Sequence, residues 1–328
     1  MTDAFDAVLP SHLPVPVVAE AYAPSNIALS KYWGKRDASL NLPLNSSLSI
    51  SLAEWGTTTR VGPADTDSLT FNGESLADGG FWRKVWAFVD RFRRGLDAPL
   101  AIETQNSIPT AAGLASSASG FAALTRALDG AFQLGLAEHE LSMLSRYGSG
   151  SATRSFWHGF VRWDRGEAED GNDSFARPLD ITWPGFRIAI VPVDTGPKEK
   201  SSRDGMTHTI ETSPLYTAWP ERAEADCVAI EEAVRAQDFA TLGALAEANA
   251  LAMHATMMAA RPALTYLKPR SWEVLETLQN ARADGLQAYA TIDAGANVKL
   301  IFEAPSEADI RGLFPEASVI DPFGYSAP

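Results

Sequence analysis

The stretch Asn106–Leu128, NSIPTAAGLASSASGFAALTRAL, decides how the chain is read. Its first half is small, polar and glycine-bearing. Its second half places Phe121, Leu124 and Leu128, with Phe132 beyond, at i, i+3, i+7 and i+11 on one face of a helix. A loop that runs into a helix start leaves backbone N–H groups without partners beside the positive end of the helix dipole. Gly113 lets the backbone approach a ligand, and Ser116, Ser117 and Ser119 add hydroxyls. Such a junction suits an anion, most naturally a phosphate. The same residues also describe a helix with an ordinary serine cap. The rest of the chain has to choose between the two.

Composition narrows the classes. The 328 residues are 45% hydrophobic and 21% charged, enough for one large domain or two ordinary ones and unlike a disordered chain. A formal net charge of -14 argues against a general hold on nucleic acid or an acidic membrane. It leaves room for a phosphorylated small molecule if the few cations are gathered locally. One cysteine, Cys227, excludes an internal disulfide and a cysteine-held zinc, and fits a reducing cytoplasm. The N-terminus carries no basic-then-apolar signal, and no apolar run approaches membrane-spanning length. A soluble cytoplasmic protein is expected.

In chain order, residues 1–16 hold three prolines and no periodicity, which reads as a flexible leader. Two alternating segments around Pro24 read as two strands or one broken strand. Lys31, Lys35 and Arg36 then form a compact basic group at a glycine turn, with Tyr32 among them and Asn26 and Asn45 nearby in sequence. It is either a solvated strand end or part of a site. Leu48, Ile50 and Leu52 alternate with Ser47, Ser49 and Ser51, a strand with one buried face. Thr57–Val61 and Ser68–Phe71 read as further strands, the second ended by the hairpin signal Asn72-Gly73. Trp82, Val85, Trp86, Val89 and Phe92 make a helical core stripe, and Leu100–Thr104 a strand. The segment GSGSATRS (148–155) is dense in hydroxyls around Arg154, the side-chain type best shaped for a carboxylate or phosphate. His158 reads as structural.

Phe186–Val193 is a buried strand, and the domain break is expected in the loop Thr195-Gly196-Pro197. KEKSSRDGMTHTI (198–210) is either a charged loop capping a helix or a second anion clamp. Helices follow near 215–236, 239–257 and 271–283, with His254 ambiguous and read as structural. Strands 287–292 and 298–302 flank DAGAN, and Pro315–Asp321 closes the chain as an edge strand. Asp293, at the end of an apolar strand and ahead of a glycine turn, is either a turn former or a base at a cleft edge. There is no internal repeat.

Taken together, SNIALSKYWGKRD (25–37), LNLPLNSSLSISL (40–52), NSIPTAAGLASSASGFAAL, GSGSATRS with GFVRW, SSRDGM (201–206), HAT (254–256) and TIDAGAN (291–297) resemble, in order, the motifs of the diphosphomevalonate decarboxylase family of the GHMP small-molecule kinase superfamily. The resemblance covers most of the chain from Ala21 to Phe302. It implies an α+β GHMP kinase fold. An N-terminal α/β domain (17–194), like domain 2 of ribosomal protein S5, would precede a C-terminal ferredoxin-like α+β domain (195–328), with the site in the cleft between them. It implies ATP and Mg2+ as cofactors, a homodimer, and ATP-dependent decarboxylation of mevalonate 5-diphosphate to isopentenyl diphosphate.

Residue roles carry over on the same basis. The loop residues Ala112, Gly113, Leu114, Ala115, Ser116, Ser117 and Ser119 would cradle ATP phosphates. Asp293 would face the C3 hydroxyl, Lys31 would offset charge beside it, and Arg154 would take the substrate carboxylate. Tyr32, Lys35, Ser149, Ser151, Ser202 and Arg203 would hold the remaining anionic groups. No side chain is assigned to the metal. The chain departs from the family at Thr153 and Ala296, both mild. It departs again at Ala248 ahead of Asn249, where a lost hydroxyl is expected to alter the phosphate end of the pocket. The rival readings are a mevalonate 5-phosphate decarboxylase, a mevalonate 3-kinase that stops after phosphorylation, and a non-catalytic nucleotide-binding protein.

Overall fold

The computed structural model describes residues 4–108, 116–194, 196 and 200–324. The chain enters through a short helix, α1 (Ala4–Val8), and a long strand, β1 (Ala19–Ser30). A small ribbon of β2 (Lys35–Asp37) and β3 (Leu42–Pro43) leads into β4 (Ser47–Pro63), followed by the hairpin β5 (Ser68–Phe71) and β6 (Glu74–Leu76). Helix α2 (Gly80–Arg93), β7 (Leu100–Asn106), α3 (Ser117–Ala131), α4 (Glu138–Ser145), β8 (Phe160–Trp163) and β9 (Ala176–Pro178) complete the first half. The second half comprises β10 (Phe186–Val191), α5 (Ser202–Thr212), α6 (Trp219–Ala236), α7 (Phe239–Met258), α8 (Pro269–Ala283), β11 (Ala288–Ile292), β12 (Val298–Glu303), α9 (Glu307–Leu313) and β13 (Ser318–Ile320). None of the described helices is long and apolar enough to cross a membrane.

Two sheets carry the architecture. The first runs β6-β5-β7-β4-β8-β9 with β1 also on β4; only β5–β7 is parallel. β1 is one broken strand: its register against β4 jumps between Pro24 and Asn26. β4 is a single 17-residue strand where separate strands were expected, and Ala53 at φ 51° marks its irregularity. Its two arms therefore pair with different neighbours, β8 on Ser47–Ile50 and β7 on Thr57–Pro63.

The alternating pattern at Ser47–Leu52 buries both faces, not one. Leu48, Ile50 and Leu52 pack into the larger core, whereas Ser47 accepts from Arg154 and Ser51 accepts from the Gly159 backbone. The hydroxyls of Ser47 and Ser51 thus survive inside because they meet buried donors.

The second sheet, β11-β12-β10-β13, is antiparallel throughout. Here β10 sits inside the sheet, hydrogen-bonded to β12 and β13. The break anticipated at 195 falls after that strand, so by sheet membership the two halves divide in the 179–185 connection. The sequence placed it later because β10 reads as one more buried strand following β8 and β9. Residues 1–16 are likewise not all loose: Phe5 is buried against Phe88 and Phe92, and Arg94 ties Asp6 and the Leu9 carbonyl. Five residues are too few to show a helical period, which hid α1.

One apolar core crosses the two halves, with Ile27, Leu29, Leu48 and Ile50 of the first sheet packed among Phe186, Ile190 and Leu300 of the second sheet and Leu242 of α7. On the polar side, Arg162 of β8 reaches Glu231 of α6 at 2.8 Å and Arg177 of β9 reaches it at 3.2 Å. The halves are thus joined by buried surface, the main favourable term in such association.

Gly34 shows how closely they meet. Its φ is +134°, and an added Cβ would lie 1.7 Å from the Tyr216 hydroxyl, which donates to the Trp33 carbonyl at 2.9 Å. Gly34→Ala is expected to lower stability by about 1–3 kcal/mol through strained backbone and overpacking. Chemical denaturation would show this as an earlier midpoint, and an unmoved midpoint would contradict it.

Candidate active site

Where the two halves face each other they enclose a cavity of about 470 Å³. The first half contributes the end of β1 and the turn after it, α2, the start of α3 and the 3-10 turn Gly150–Arg154. The second contributes the start of α5, α7 and the β11–β12 turn. Lys31, Lys35, Lys84, Arg154, Arg203 and Lys299 line it, against one carboxylate, Asp293. Among the described residues, then, six cations meet one anion inside a chain of net charge -14. Such a concentration in a concave wall focuses a field that draws in anions.

The deepest pair is Lys31 with Asp293, residues 262 positions apart. Lys31 Nζ donates to Asp293 Oδ1 at 2.7 Å and to the Ala28 carbonyl at 2.8 Å. Lys31 is 2% exposed, whereas Asp293 keeps 38% of its side chain exposed. Burial pushes the Lys31 pKa down to about 8 against the pull of Asp293. For Asp293, burial acts upward, but Lys299 and Lys31 together outweigh it and hold the carboxyl well below the usual range. Its side chain is thus a held carboxylate, not a turn former.

The main chain of this pair is also fixed. The Lys31 N–H donates to Asn249 Oδ1 at 2.8 Å, and Asn249 Nδ2 donates to Asp226 Oδ2 at 3.0 Å. Asn45 Nδ2 donates to the Lys31 carbonyl at 2.8 Å. His254 lies 3.2 Å from the Asp293 carbonyl, and burial pushes its pKa down to about 4, so it is a neutral structural imidazole.

Arg154 is 3% exposed, with Nη1 on Ser47 Oγ at 2.5 Å, Nη2 on Asn26 Oδ1 at 3.4 Å, and Nε without a described partner. Burial lowers its pKa to about 10, which leaves it cationic at neutral pH. Tyr32 Oη is likewise buried without a described partner, and burial pushes the phenol well above its usual pKa. A donor and a hydroxyl buried in this state fit a polar ligand that completes them. Ser149 and Ser151 stand 3.2 Å apart beside them. Lys35, Lys84 and Arg203 gather at the same wall; burial, then Arg203, pushes both lysines to about 8.

Of the residues anticipated from the sequence, Lys31, Tyr32, Lys35, Ser117, Ser149, Ser151, Arg154, Ser202, Arg203 and Asp293 all line this cavity. Ala112, Gly113, Leu114 and Ala115 lie outside the described residues, as does Lys198. Ser116 and Ser119 do not line it. Ser119 is fully buried on the Ser25 and Thr57 hydroxyls. Ser116 makes no side-chain cap bond, so it does not act as the simple helix cap. Arg36 turns away to the Arg165 and Ala168 carbonyls. Ala248 is exposed on α7 and does not line the cavity, so its missing hydroxyl leaves the lining as it was.

The sequence missed Lys84, Lys299 and Asn249. Lys84 sits between the apolar stripe positions of α2 and Lys299 within an apolar strand. Asn249 lies on a helix chosen for its packing, and no local signal separated any of the three from its neighbours.

The Diphosphomevalonate decarboxylase-like N-terminal domain matches residues 23–176, and the Mevalonate 5-diphosphate decarboxylase C-terminal domain matches residues 188–319. The chain is 37% identical over 325 residues to the diphosphomevalonate decarboxylase of Gibberella zeae, covering 91% of this chain and 84% of that one. It superposes on the mevalonate diphosphate decarboxylase of Staphylococcus aureus with a TM-score of 0.88 and 36% identity, over 93% of this chain and 95% of that one. A structure described as MDDEF in complex with MVAPP, AMPPCP and magnesium aligns with a TM-score of 0.86 and 38% identity, over 92% and 96% of the two chains.

The depressed lysines give the cavity a pH dependence. Lys31, Lys35 and Lys84 are charged below about 8 and lose charge as pH rises through it. Sulfate, whose own charge is constant here, should bind about tenfold or more weakly at pH 9 than at pH 7 by calorimetry. An affinity that stays flat would contradict this.

Proposed function

Because the chain belongs to the diphosphomevalonate decarboxylase family of the GHMP kinase superfamily, we propose that its cavity is where ATP drives decarboxylation of mevalonate 5-diphosphate to isopentenyl diphosphate. The protein is an ATP-dependent carboxy-lyase with a GHMP kinase-like fold, using ATP and Mg2+. The observation that carries the assignment of the site is the wall where, among the described residues, six cations surround the single carboxylate Asp293. Domain limits at the 179–185 connection, a homodimer and a cytoplasmic setting belong to the same proposal. The buried lone cysteine, Cys227, supports the last of these.

The described residues hold no group of three histidine, cysteine or acidic side chains able to bind a metal. Mg2+ fits as an ion carried on phosphate oxygens, its common habit at nucleotide sites, and Ser117 of α3 lines the cavity wall with a hydroxyl. When bound, Mg-ATP supplies a phosphoryl group that makes the tertiary C3 hydroxyl a competent leaving group. The protein's part is binding, orientation and charge.

Lys35, Lys84, Arg203, Tyr32, Ser149, Ser151 and Ser202 hold phosphate oxygens, and Arg154 offers its open Nε edge to the substrate carboxylate. Asp293 accepts the C3 hydroxyl's hydrogen bond and sets its lone pair toward the incoming phosphorus. A carboxylate clamped by two ammoniums is a weak base. Its first contribution is therefore orientation, with proton release late in a loose transition state. As the C3–O bond breaks, positive character at C3 faces the Asp293 charge. The C1–C2 bond then breaks, its electrons form the new double bond, and CO2 leaves. Ala248 lies away from the cavity, so the one sequence reason to favour the 5-phosphate substrate has no structural support.

With ATP and Mg2+, equal amounts of ADP and CO2 are expected from mevalonate 5-diphosphate and not from mevalonate or its 5-phosphate. ADP without CO2 would make the protein a 3-kinase, and turnover of the 5-phosphate alone would overturn the substrate assignment. Asp293→Asn should retain ATP binding and lose turnover by about 10²–10⁴. Near-normal turnover would remove Asp293 from the reaction.

A further inference from the structure

Lys299 has no place among the residues the sequence nominated, yet it is the third member of the deepest charged group. It lies on β12, paired with Thr291 of β11 and Ile190 of β10, the one charged residue in the run Val298–Phe302. It is 3% exposed and lines the cavity. Its Nζ stands 3.1 Å from Asp293 Oδ2 and donates to the Asn297 carbonyl at 3.2 Å. Lys31 takes the other oxygen, Oδ1, at 2.7 Å. Each carboxylate oxygen is therefore claimed by a separate ammonium, one from each half of the molecule.

Two contacts fix the plane of the carboxylate, where one would leave it free to turn about its terminal torsion. A buried ammonium in an apolar strand is a poor device for stability, because desolvation offsets most of the attraction. Its position is better explained by what must enter the cavity. Two polyphosphates crowd negative charge around Asp293, and like charge favours a protonated carboxyl. We propose that Lys299 is a positioning residue, which, opposite Lys31, fixes the orientation of Asp293 and keeps it anionic while the cavity is loaded with phosphate. The idea rests on the proposed decarboxylase reading of the site.

The charged and titratable groups facing Asp293 are Lys31 from the turn after β1, Lys299 from β12, Arg154 from the 3-10 turn and His254 from α7. His254 is neutral and meets only the main chain, and Arg154 acts at longer range. Removing Lys299 therefore removes one of two direct charges.

The test uses the full-length protein with Lys299→Met and Lys299→Arg. In Lys299→Met, kcat should fall about ten- to a hundredfold, with KM for ATP within about threefold. The acid limb of the kcat profile should move up by about one pH unit or more. Lys299→Arg should return the limb toward its original position. Thermal stability of Lys299→Met should stay near that of the parent, since a neutral chain fits an apolar strand.

Carbon-13 carboxyl NMR, with Asp293 assigned by difference from Asp293→Asn, should show its titration displaced upward in Lys299→Met. That signal reads the clamp whether or not the protein decarboxylates anything, whereas absence of CO2 from the parent protein would sink the functional reading alone. Unchanged kcat, or a lower kcat with both the acid limb and the carboxyl titration unmoved, would overturn the proposal. Should Lys299→Met fail to fold, Lys299→Gln carries the same comparison.

Discussion

The ion pair between Lys31 and Asp293 is the constraint on which the rest depends. It joins the turn after the first long strand to the turn between β11 and β12, 262 residues later. Neither partner is held by the pair alone. Asn249 and Asn45 fix the main chain of Lys31, and His254 meets the Asp293 carbonyl. A buried charge pair is weak evidence for stability. In this chain the stability comes from the apolar core that crosses both halves, which lets the pair serve the cavity.

The distribution of charge follows the same logic. A net charge of -14 keeps the protein away from polyanions in general, while among the described residues the cavity gathers six cations on one wall system. The balance differs from place to place. Arg162 and Arg177 are matched by Asp164 and Glu231 at the junction of the halves. In the cavity the cations outnumber their carboxylate, and the surplus is what an anionic ligand would satisfy. Burial holds several of those lysines near pH 8, so the site is charged at neutral pH yet close to losing that charge.

Much of this was legible in the sequence, for identifiable reasons. The stripe Trp82–Phe92 and the Asn72-Gly73 turn are local signals, and α2 and the β5–β6 hairpin form where those signals place them. Lys31 stood out in a basic group at a glycine turn, Arg154 among glycines and hydroxyls, and Asp293 at the end of an apolar strand ahead of a glycine turn. What stayed hidden depends on partners distant in sequence. β10 reads as another strand until its hydrogen-bonded neighbours are known. The serines of β4 look solvent-facing until Arg154 and Gly159 are seen to meet two of them. Lys299 and Lys84 sit inside ordinary amphipathic or apolar patterns, and Arg36 looked like a third member of the basic group until its guanidinium turned to the Ala168 carbonyl.

The most direct test is a crystal structure with mevalonate 5-diphosphate and a non-hydrolysable ATP analogue bound together. The account predicts the C3 hydroxyl within about 3 Å of an Asp293 oxygen. Lys31 and Lys299 should still hold that carboxylate, the γ-phosphorus should lie in line with the hydroxyl, and Arg154 should face the C1 carboxylate. A substrate bound with its diphosphate toward Asp293, or with the C3 hydroxyl turned away from it, would contradict the account.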